Sequence, residues 1–383
     1  MEERICQWIA DHRDDLFACL EVLVNTDSNS HDKAGVDRVG EIMAGHLRRI
    51  GCHVERHARE KVGDCLVATL PGGKAGRIML SGHMDTALPV GDAQRRPFKI
   101  EGKRAYGPGV ADMKGGLTTM LFAMEALHTI CPDEMMDMAA VLTGDEEIGS
   151  FASHDLLRNE GEKATAVFCM ESGRANGAIV SARRGFGFYE LEVFGRSAHA
   201  GVDPENGLSA IDELARKVVA LQDLNDLERG IAVNVNHIKG GAPGLTIPDY
   251  AWASLSAGFY NMTDGEQVMA RVAEIAAKTF LPGTHTVLHG GQAFWPMEKD
   301  EKVQKLLAEV QKAGQVIGLE VEDIRTGGCA DSGLTWYVGA PSICAMGPVG
   351  GRLHTEQEYM EIDTMVERCQ LLALSMYNVS RYW

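Results

Sequence analysis

Short apolar segments that alternate with helix-like segments most restrict the fold of this 383-residue chain. Residues 65–70, 77–81, 138–143 and 166–170 read as strands, and a helical stretch at 117–127 separates two of them. This alternation predicts an α/β fold with a mostly parallel central sheet flanked by helices. Because ligands bind outside the carboxyl ends of such strands, polar residues that directly follow a strand are the first candidates for a functional site.

The rest of the chain adds further expectations. The first 50 residues favour two amphipathic helices. Residues 189–193 alternate apolar and polar side chains, as a half-buried antiparallel strand does, and a capping box from Thr263 to Glu266 predicts a helix over 267–280. The predicted domains are a catalytic domain, 1–181 and 292–383, and an inserted α+β domain, 182–291.

Composition excludes several classes of partner. The chain has 54 acidic and 37 basic residues, a formal net charge of −17, whereas nucleic acids and anionic membranes attract basic surfaces. No apolar run approaches the roughly 20 residues that span a bilayer, and the charged N-terminus does not resemble a signal peptide. Nine scattered cysteines without a CxxC motif indicate reduced thiols. We therefore expect no nucleic-acid or membrane partner, and a cytoplasmic location.

Polar clusters follow the predicted strands or lie in loops. They are His83-Met84-Asp85, Asp112, Glu146-Glu147, Glu171 and His354. Each alone reads as a surface histidine or a solvated turn, but together they suit zinc, which binds imidazole nitrogen and carboxylate oxygen. Two zinc ions need a bridging carboxylate and roughly two further ligands each, and two histidines with three carboxylates supply that number.

The carboxylates left over have chemical roles of their own. Asp85 can accept the second imidazole N–H of His83, which fixes the tautomer of the ring. If the Glu146-Glu147 segment is extended, its two side chains point to opposite sides of the chain. One would then bind metal while the other faces the substrate as a general base.

Six motifs occur in order along the chain: SGHMDT (81–86), GPGVADMKGG (107–116), TGDEEIGS (143–150), ESG (171–173), GRSAHAG (195–201) and LHTEQEYM (353–360). Together they closely resemble the di-zinc metallopeptidase family of glutamate carboxypeptidase, acetylornithine deacetylase, succinyl-diaminopimelate desuccinylase and aminoacylase, with glutamate carboxypeptidase closest in motif. The resemblance spans nearly the whole chain. It implies that residues 182–291 form a dimerisation (lid) domain, and hence a homodimer.

The resemblance also implies a ligand set. His83 and Glu171 would bind one zinc ion, Glu147 and His354 would bind the other, and Asp112 would bridge the two. Because histidine and carboxylate sites accept several divalent metals, Co²⁺ or Mn²⁺ could replace Zn²⁺.

Three further roles follow from the same resemblance. Glu146 would be the general base, and Asp85 would orient His83. His199, in the GRSAHAG motif, would reach into the active site of the partner subunit. The peptide bond between Asp112 and Met113 would be cis.

The substrate-binding residues implied by the resemblance are basic or flexible. Arg183 or Arg184 would lie near the lid, and Arg325 would lie on a loop that enters the site, where a planar guanidinium suits a substrate carboxylate. Gly328 would let the backbone of that loop approach a ligand closely.

Two positions depart from the family pattern. Leu245 stands where many members have a lid asparagine, and Gly258 or Phe259 stands where they have an arginine. The departures remove an amide donor and a cationic anchor, so we expect the substrate carboxylate to be bound differently or activity to be reduced.

The combined expectation is a metal-dependent amide hydrolase, most similar to a glutamate carboxypeptidase-like exopeptidase. Its substrate would be a small N-acyl amino acid or peptide, because glutamate at the Glu171 position goes with carboxypeptidases and deacylases in the family. The alternatives are an N-acyl amino acid deacylase and, in another class, a metal-binding scaffold that has lost catalysis.

Overall fold

The structure is a computed structural model that describes residues 1–383. The helices are α1 (Glu2–Asp11), α2 (Arg13–Val24), α3 (Lys33–Arg49), α4 (Asp92–Arg95), α5 (Gly115–Ile130), α6 (His154–Gly161), α7 (Ala210–Gln222), α8 (Met262–Ala277), α9 (Glu301–Val316), α10 (Ser332–Tyr337) and α11 (Asp363–Tyr382). The strands are β1 (His53–His57), β2 (Cys65–Leu70), β3 (Lys74–His83), β4 (Lys99–Glu101), β5 (Arg104–Tyr106), β6 (Met136–Thr143), β7 (Ala166–Cys169), β8 (Ile179–Arg183), β9 (Gly185–Phe194), β10 (Ala232–Gly240), β11 (Tyr250–Phe259), β12 (His285–Phe294), β13 (Asp323–Thr326), β14 (Ser342–Ile343), β15 (Gly350–Gly351) and β16 (Tyr359–Glu361).

The chain forms two compact units. The first consists of Met1–Ala182, Met297–Thr326 and Ala330–Trp383, and the second of Arg183–Pro296 with Gly327–Cys329. The sequence-predicted boundary after residue 291 falls inside β12. That strand carries two adjacent glycines, so its sequence lacks the apolar alternation by which strands are recognised.

A six-stranded sheet with the order β1-β2-β6-β3-β7-β14 forms the centre of the first unit. Strands β6, β3, β7 and β14 are parallel, whereas β1 and β2 add antiparallel pairs at one edge. The predicted α/β class with a mostly parallel sheet is therefore confirmed. Two smaller sheets, β15-β16-β5-β4 and β13-β8, complete the strands of this unit.

The parallel strands are buried because helices cover them. Helix α5 is apolar over nearly its whole length, and it packs against α1, α2 and α11. Leu80 of β3, Phe168 of β7 and Met120 of α5 belong to one continuous core. Strands that are buried in this way read as nearly continuous apolar runs, which is why they are recognisable from sequence.

The second unit is an antiparallel sheet with the order β10-β11-β9-β12, packed against α7 and α8. Alternate residues of β9, Tyr189, Leu191 and Val193, are buried in its core. The intervening Glu190 is exposed. The half-buried strand that the period-2 pattern predicts is therefore present.

Two local predictions were wrong. The first predicted helix is broken at His12, whose Nδ1 lies 2.7 Å from the backbone oxygen of Trp8 and whose ring stacks on Trp8. The apolar periodicity of the sequence continues through this break, so the pattern did not indicate that the helix ends at His12. Helix α8 is capped by the side chain of Asn261, which accepts from the N–H of Asp264, and Thr263 already lies inside the helix.

No helix has both the length and the apolar character needed to cross a membrane. All nine cysteines are thiols, and seven of them are buried.

Candidate metal centre

Three carboxyl ends of parallel strands converge at one edge of the central sheet. His83 is the last residue of β3, Glu146 and Glu147 follow β6, and Glu171 follows β7. The strands are in register here, with His83 opposite Thr143. The sheet topology therefore brings these separate sequence motifs together, as expected for an α/β fold.

Asp112 and His354 complete the cluster from two loops. Asp112 precedes α5, and His354 lies between β15 and β16. The Oδ1 atom of Asp112 lies 3.3 Å from Nε2 of His83, and its Oδ2 atom lies 3.2 Å from Nε2 of His354. The two oxygens of one carboxylate thus face two different imidazoles.

Glu171 and Glu147 each lie close to one of the same two imidazoles. Oε1 of Glu171 lies 3.7 Å from Nε2 of His83, whereas Oε2 of Glu147 lies 3.1 Å from Nε2 of His354. Ligand atoms within 4.8 Å of one another form two groups: His83 with Asp112 and Glu147, and His83 with Glu146 and Glu171.

The donor set fits divalent metal ions. Two atoms each bonded at about 2.1 Å to one tetrahedral zinc ion would lie roughly 3.4 Å apart, and the four distances between imidazole nitrogen and carboxylate oxygen run from 3.1 to 3.7 Å. The chemistry of nitrogen and carboxylate donors and their spacing both agree with such ions.

The electrostatics of the cluster favour cations. Burial opposes protonation of His83, but hydrogen bonds to Asp112 and Asp85 raise its pKa well above the ordinary value. Hydrogen bonds to Asp112 and Glu147 raise the pKa of His354 to about 10. Burial alone would raise the pKa of Asp112, yet the two imidazoles hold it well below its usual range. Positive charge on the imidazoles partly offsets the carboxylates, and bound metal ions would do so more completely.

Glu146 and Glu147 lie on a 3-10 turn, Glu146–Ile148, and not on the extended segment expected from sequence. The two side chains still differ in environment. Glu147 contacts His354 and also accepts from the N–H of Ala87 at 3.3 Å. The Glu146 carboxylate accepts no hydrogen bond from the protein, and burial together with the nearby Glu171 raises its pKa well above the ordinary value.

Asp85 lies behind His83, where it contacts Nδ1 of the ring. Its backbone oxygen is 3.0 Å from that nitrogen and its Oδ1 is 3.4 Å away. The carboxylate is itself held by the hydroxyl of Ser30, at 2.6 Å, and by the N–H groups of Glu146 and Glu147, each at 3.2 Å. Asp85 therefore ties the end of β3 to the turn that carries both glutamates. Ser30 was missed from sequence because it lies 55 residues away in the chain.

Glu358 is a second residue that sequence reasoning missed. Its Oε1 accepts from the N–H groups of Ala111 and Asp112, both at 2.9 Å, and its Oε2 accepts from the N–H of Gly109 at 3.0 Å. The side chain is 1% exposed, and burial raises its pKa to about 7. The Asp112–Met113 peptide bond in this loop is cis, as the resemblance implied. The only available signal was the position of Glu358 within the LHTEQEYM motif.

Asp331 supports the other side of the cluster. Its carboxylate accepts from the hydroxyls of Thr143, at 3.2 Å, and Ser150. These two residues bracket the segment that carries Glu146 and Glu147. Burial raises the pKa of Asp331 to about 6.

The remaining predicted site residues are distributed differently. His199, Arg183, Arg184 and Gly328 belong to the second unit. His199 is exposed and its N–H donates to Asp203. Arg183 is buried and its Nε donates to the oxygen of Gly328 at 3.0 Å, while the Arg184 guanidinium stacks 4.6 Å from the ring centre of Tyr260.

Arg325 belongs to the first unit, where it is exposed on β13. The two departures from the family pattern lie in the second unit. Leu245 is 66% exposed. Gly258 lies on β11 opposite Phe186, and a Cβ atom at Gly258 would come within 2.8 Å of that ring. The ring of Phe186 therefore occupies the space into which a side chain at Gly258 would begin to extend.

The fold and the cluster together define a metal-dependent hydrolase. Residues 79–378 match the sequence profile of a family described as Peptidase family M20/M25/M40, and the chain belongs to that family. The predicted family resemblance is confirmed, and so is the assignment of the chain as an enzyme.

Individual relatives agree over nearly the full length. The chain is 29% identical over 375 residues to carboxypeptidase G2 of Pseudomonas sp. (strain RS-16), covering 96% of this chain and 90% of the relative. It is 26% identical to succinyl-diaminopimelate desuccinylase of Pseudoalteromonas atlantica, covering 93% and 96%. In fold, it is similar to an M20 family metallo-carboxypeptidase from Sulfolobus solfataricus, with a TM-score of 0.75, 18% identity, and coverage of 96% and 99%.

Proposed function

We propose that the protein hydrolyses the amide bond of a small N-acyl amino acid or peptide with two Zn²⁺ ions at the cluster. His83 and Glu171 would hold one ion, and Glu147 and His354 the other. The observation that carries this proposal is that the two oxygens of Asp112 face the Nε2 atoms of two different histidines, which is the arrangement a bridging carboxylate requires.

When bound, zinc ions of this kind polarise an amide carbonyl and lower the pKa of water toward neutrality. Glu146 would accept a proton from the attacking water and pass it to the departing amine. The absence of hydrogen bonds to its carboxylate supports this role, because both oxygens stay available to water. Asp85 would keep Nε2 of His83 directed into the cluster by holding Nδ1 on the far side of the ring.

Substrate recognition is proposed to involve arginine side chains and a glycine-containing loop. Arg325 and Arg184 would contact the substrate carboxylate, and Gly328 would line the same loop. Since the guanidinium of Arg183 is buried and donates to Gly328, its proposed role is to hold that loop in place. The exposed Leu245 and the confined Gly258 support a mode of carboxylate binding that does not use those two positions.

The proposed assembly is a homodimer through the second unit, in which His199 donates to the oxyanion of the partner's reaction. The exposed position of His199 supports this role. The cytoplasm stays the proposed location. Retention of every residue of the catalytic cluster favours the enzyme over the alternative of a binding scaffold.

The test is a substrate screen with zinc-loaded protein, in which released amino acid is measured for N-acetyl, N-benzoyl and N-succinyl amino acids and for dipeptides. Hydrolysis that depends on the amino acid but tolerates many acyl groups would support the carboxypeptidase. The reverse selectivity would support a deacylase, the function named for the desuccinylase relative. No hydrolysis across the panel, with metal content verified, would contradict both, and Co²⁺ and Mn²⁺ are tested in parallel.

The general base has its own test. Glu146→Gln removes the proton acceptor with little change of shape, so we expect bound metal to be retained and kcat to fall by about 10²–10⁴-fold. Glu320→Gln, at an exposed glutamate, is the control and should leave kcat unchanged. Activity of Glu146→Gln near that of the control would refute the assignment.

A further inference from the structure

A cavity of about 430 Å³ lies on the small β15-β16-β5-β4 sheet of the first unit. Its walls carry five basic side chains and a single acidic one, Glu356. The chain as a whole has the opposite bias, with 54 acidic and 37 basic residues. A concentration of positive charge in one concave site of an acidic protein indicates a site for an anion.

Most of the cations in the cavity already have acidic partners. Arg95 contacts Glu356 and Asp92, and Arg104 donates to Glu361 at 2.9 Å. Arg352 differs, since its guanidinium is exposed and donates only to the amide oxygen of Gln357. A carboxylate that replaced this amide would gain a charge-assisted, bidentate contact, so Arg352 is the group that an anion would engage first.

Two tyrosines give the cavity an aromatic floor. Tyr106 and Tyr359 lie directly opposite each other on β5 and β16, and Lys99 lies opposite Tyr106 on β4. Residues that are directly opposite share a face of the sheet. The guanidinium of Arg104 already stacks on the Tyr359 ring at 3.8 Å, and the Lys99 ammonium lies 5.6 Å from the centre of the Tyr106 ring. A planar ligand would therefore stack on the flat Arg104 guanidinium that covers Tyr359.

The cavity shares its chain segments with the metal centre. Arg352 and Glu356 each lie two residues from His354, and Gly107 begins the loop that Glu358 ties down through Gly109. A ligand in the cavity therefore contacts the segments that position two of the candidate metal ligands.

We infer that this cavity binds a planar aromatic group that carries a carboxylate, as the acyl end of the substrate. The carboxylate contacts Arg352, and the ring stacks on the Arg104 guanidinium that covers Tyr359. The assignment to a substrate rests on the proposed amide hydrolysis, whereas binding of an aromatic carboxylate to the cavity does not.

The kinetic test compares N-(4-carboxybenzoyl)-glutamate with N-benzoyl-glutamate on the zinc-loaded enzyme. We expect Arg352→Gln to raise KM about tenfold for the carboxylated substrate only, with kcat unchanged, because the lost contact is made equally in the ground state and the transition state. Arg352→Lys should recover part of the loss, and Arg13→Gln, at an exposed arginine of α2, should change neither substrate. Equal effects on both substrates, or none, would overturn the inference.

A binding measurement separates this inference from the proposed function. Benzene-1,4-dicarboxylate is titrated calorimetrically into the zinc-loaded wild type and Arg352→Gln. Affinity that falls about tenfold in the variant supports the cavity even if no amide is hydrolysed, in which case only the proposed function fails. Affinity that is independent of Arg352 indicates binding at the metals alone and overturns the cavity assignment.

Discussion

Replacing Glu358 should weaken the whole loop that presents Asp112. In Glu358→Ala, three buried N–H groups, those of Gly109, Ala111 and Asp112, lose their acceptor. An unsatisfied buried donor costs about 1–3 kcal/mol. We therefore expect the free energy of unfolding to fall by at least about 3 kcal/mol. Water that enters the space left by the side chain can bind some of these N–H groups, so the loss should be smaller than the sum of three full penalties.

The milder variant Glu358→Gln separates hydrogen bonding from shape. Its single amide oxygen can still accept from Ala111 and Asp112, while its amino group would face the N–H of Gly109. The N–H of Gly109 then has no acceptor, and the hydrogen bonds from Ala111 and Asp112 go to a neutral amide oxygen instead of a carboxylate. We therefore expect the free energy of unfolding to fall by about 1–3 kcal/mol. Because the N–H of Asp112 is one of the groups held, zinc affinity should also fall by about 10- to 100-fold.

Urea unfolding of the metal-free protein measures the first effect, and calorimetric titration of Zn²⁺ measures the second. The exposed Glu320→Gln is the control for loss of a carboxylate and should stay within about 0.5 kcal/mol of wild type. If Glu358→Ala unfolds within about 1 kcal/mol of wild type and binds zinc as tightly, Glu358 does not hold the loop and the reasoning fails.

Three further predictions concern other parts of the molecule. Chelation of metal should lower the melting temperature, since an ion present at 100 times its dissociation constant stabilises by about 2.7 kcal/mol; a melting curve unaffected by chelator and by added Zn²⁺ would count against the metal centre. In the second unit, burial opposes ionisation of Glu213, but hydrogen bonds from Leu281 and Lys217 lower its pKa; its contribution is therefore present above the unfolded-state pKa of about 4.3 and lost as pH falls. The stability gap between wild type and Glu213→Gln is expected to be about 3 kcal/mol at pH 7, because the buried Lys217 loses its carboxylate partner and keeps only backbone oxygens as acceptors. This gap should shrink below about pH 4, and a constant gap would refute the prediction. Burial raises the pKa of Cys52 to about 12 and of Cys19 to about 11, so a thiol reagent at pH 8 should react quickly with at most the two partly exposed thiols, Cys6 and Cys329, and rapid reaction of more thiols would contradict the described packing.

The parts of the fold and the cluster that could be predicted are those set by local pattern. Buried strands such as β6 are continuous apolar runs, and His83 and Glu171 follow such runs immediately. Parallel topology then requires their side chains to meet at one edge of the sheet. Neither step needs a long-range contact to be known in advance, so the sequence was sufficient for both.

The residues that hold the cluster could not be found in this way. Glu358 acts on backbone groups 246 to 249 residues away, and Asp331 on hydroxyls 181 and 188 residues away. A glutamate or aspartate in a loop is ordinarily solvated, and only the folded chain shows that these two are buried. The helix break at His12 was also hidden, because apolar residues lie on the core side of the helices both before and after it.

Net charge illustrates how averages conceal local chemistry. An excess of 17 acidic charges argues against a nucleic-acid partner, yet it gave no indication that cation-binding and anion-binding groups would lie on one segment. His354 faces the carboxylates of Asp112 and Glu147, while Arg352, two residues earlier, lines a basic cavity. A substrate with a carboxylate at its acyl end and an amide further along would engage both kinds of group at once. In such a substrate, contact of the carboxylate with Arg352 would leave the amide to face the metal centre, so this one contact would set the direction of binding.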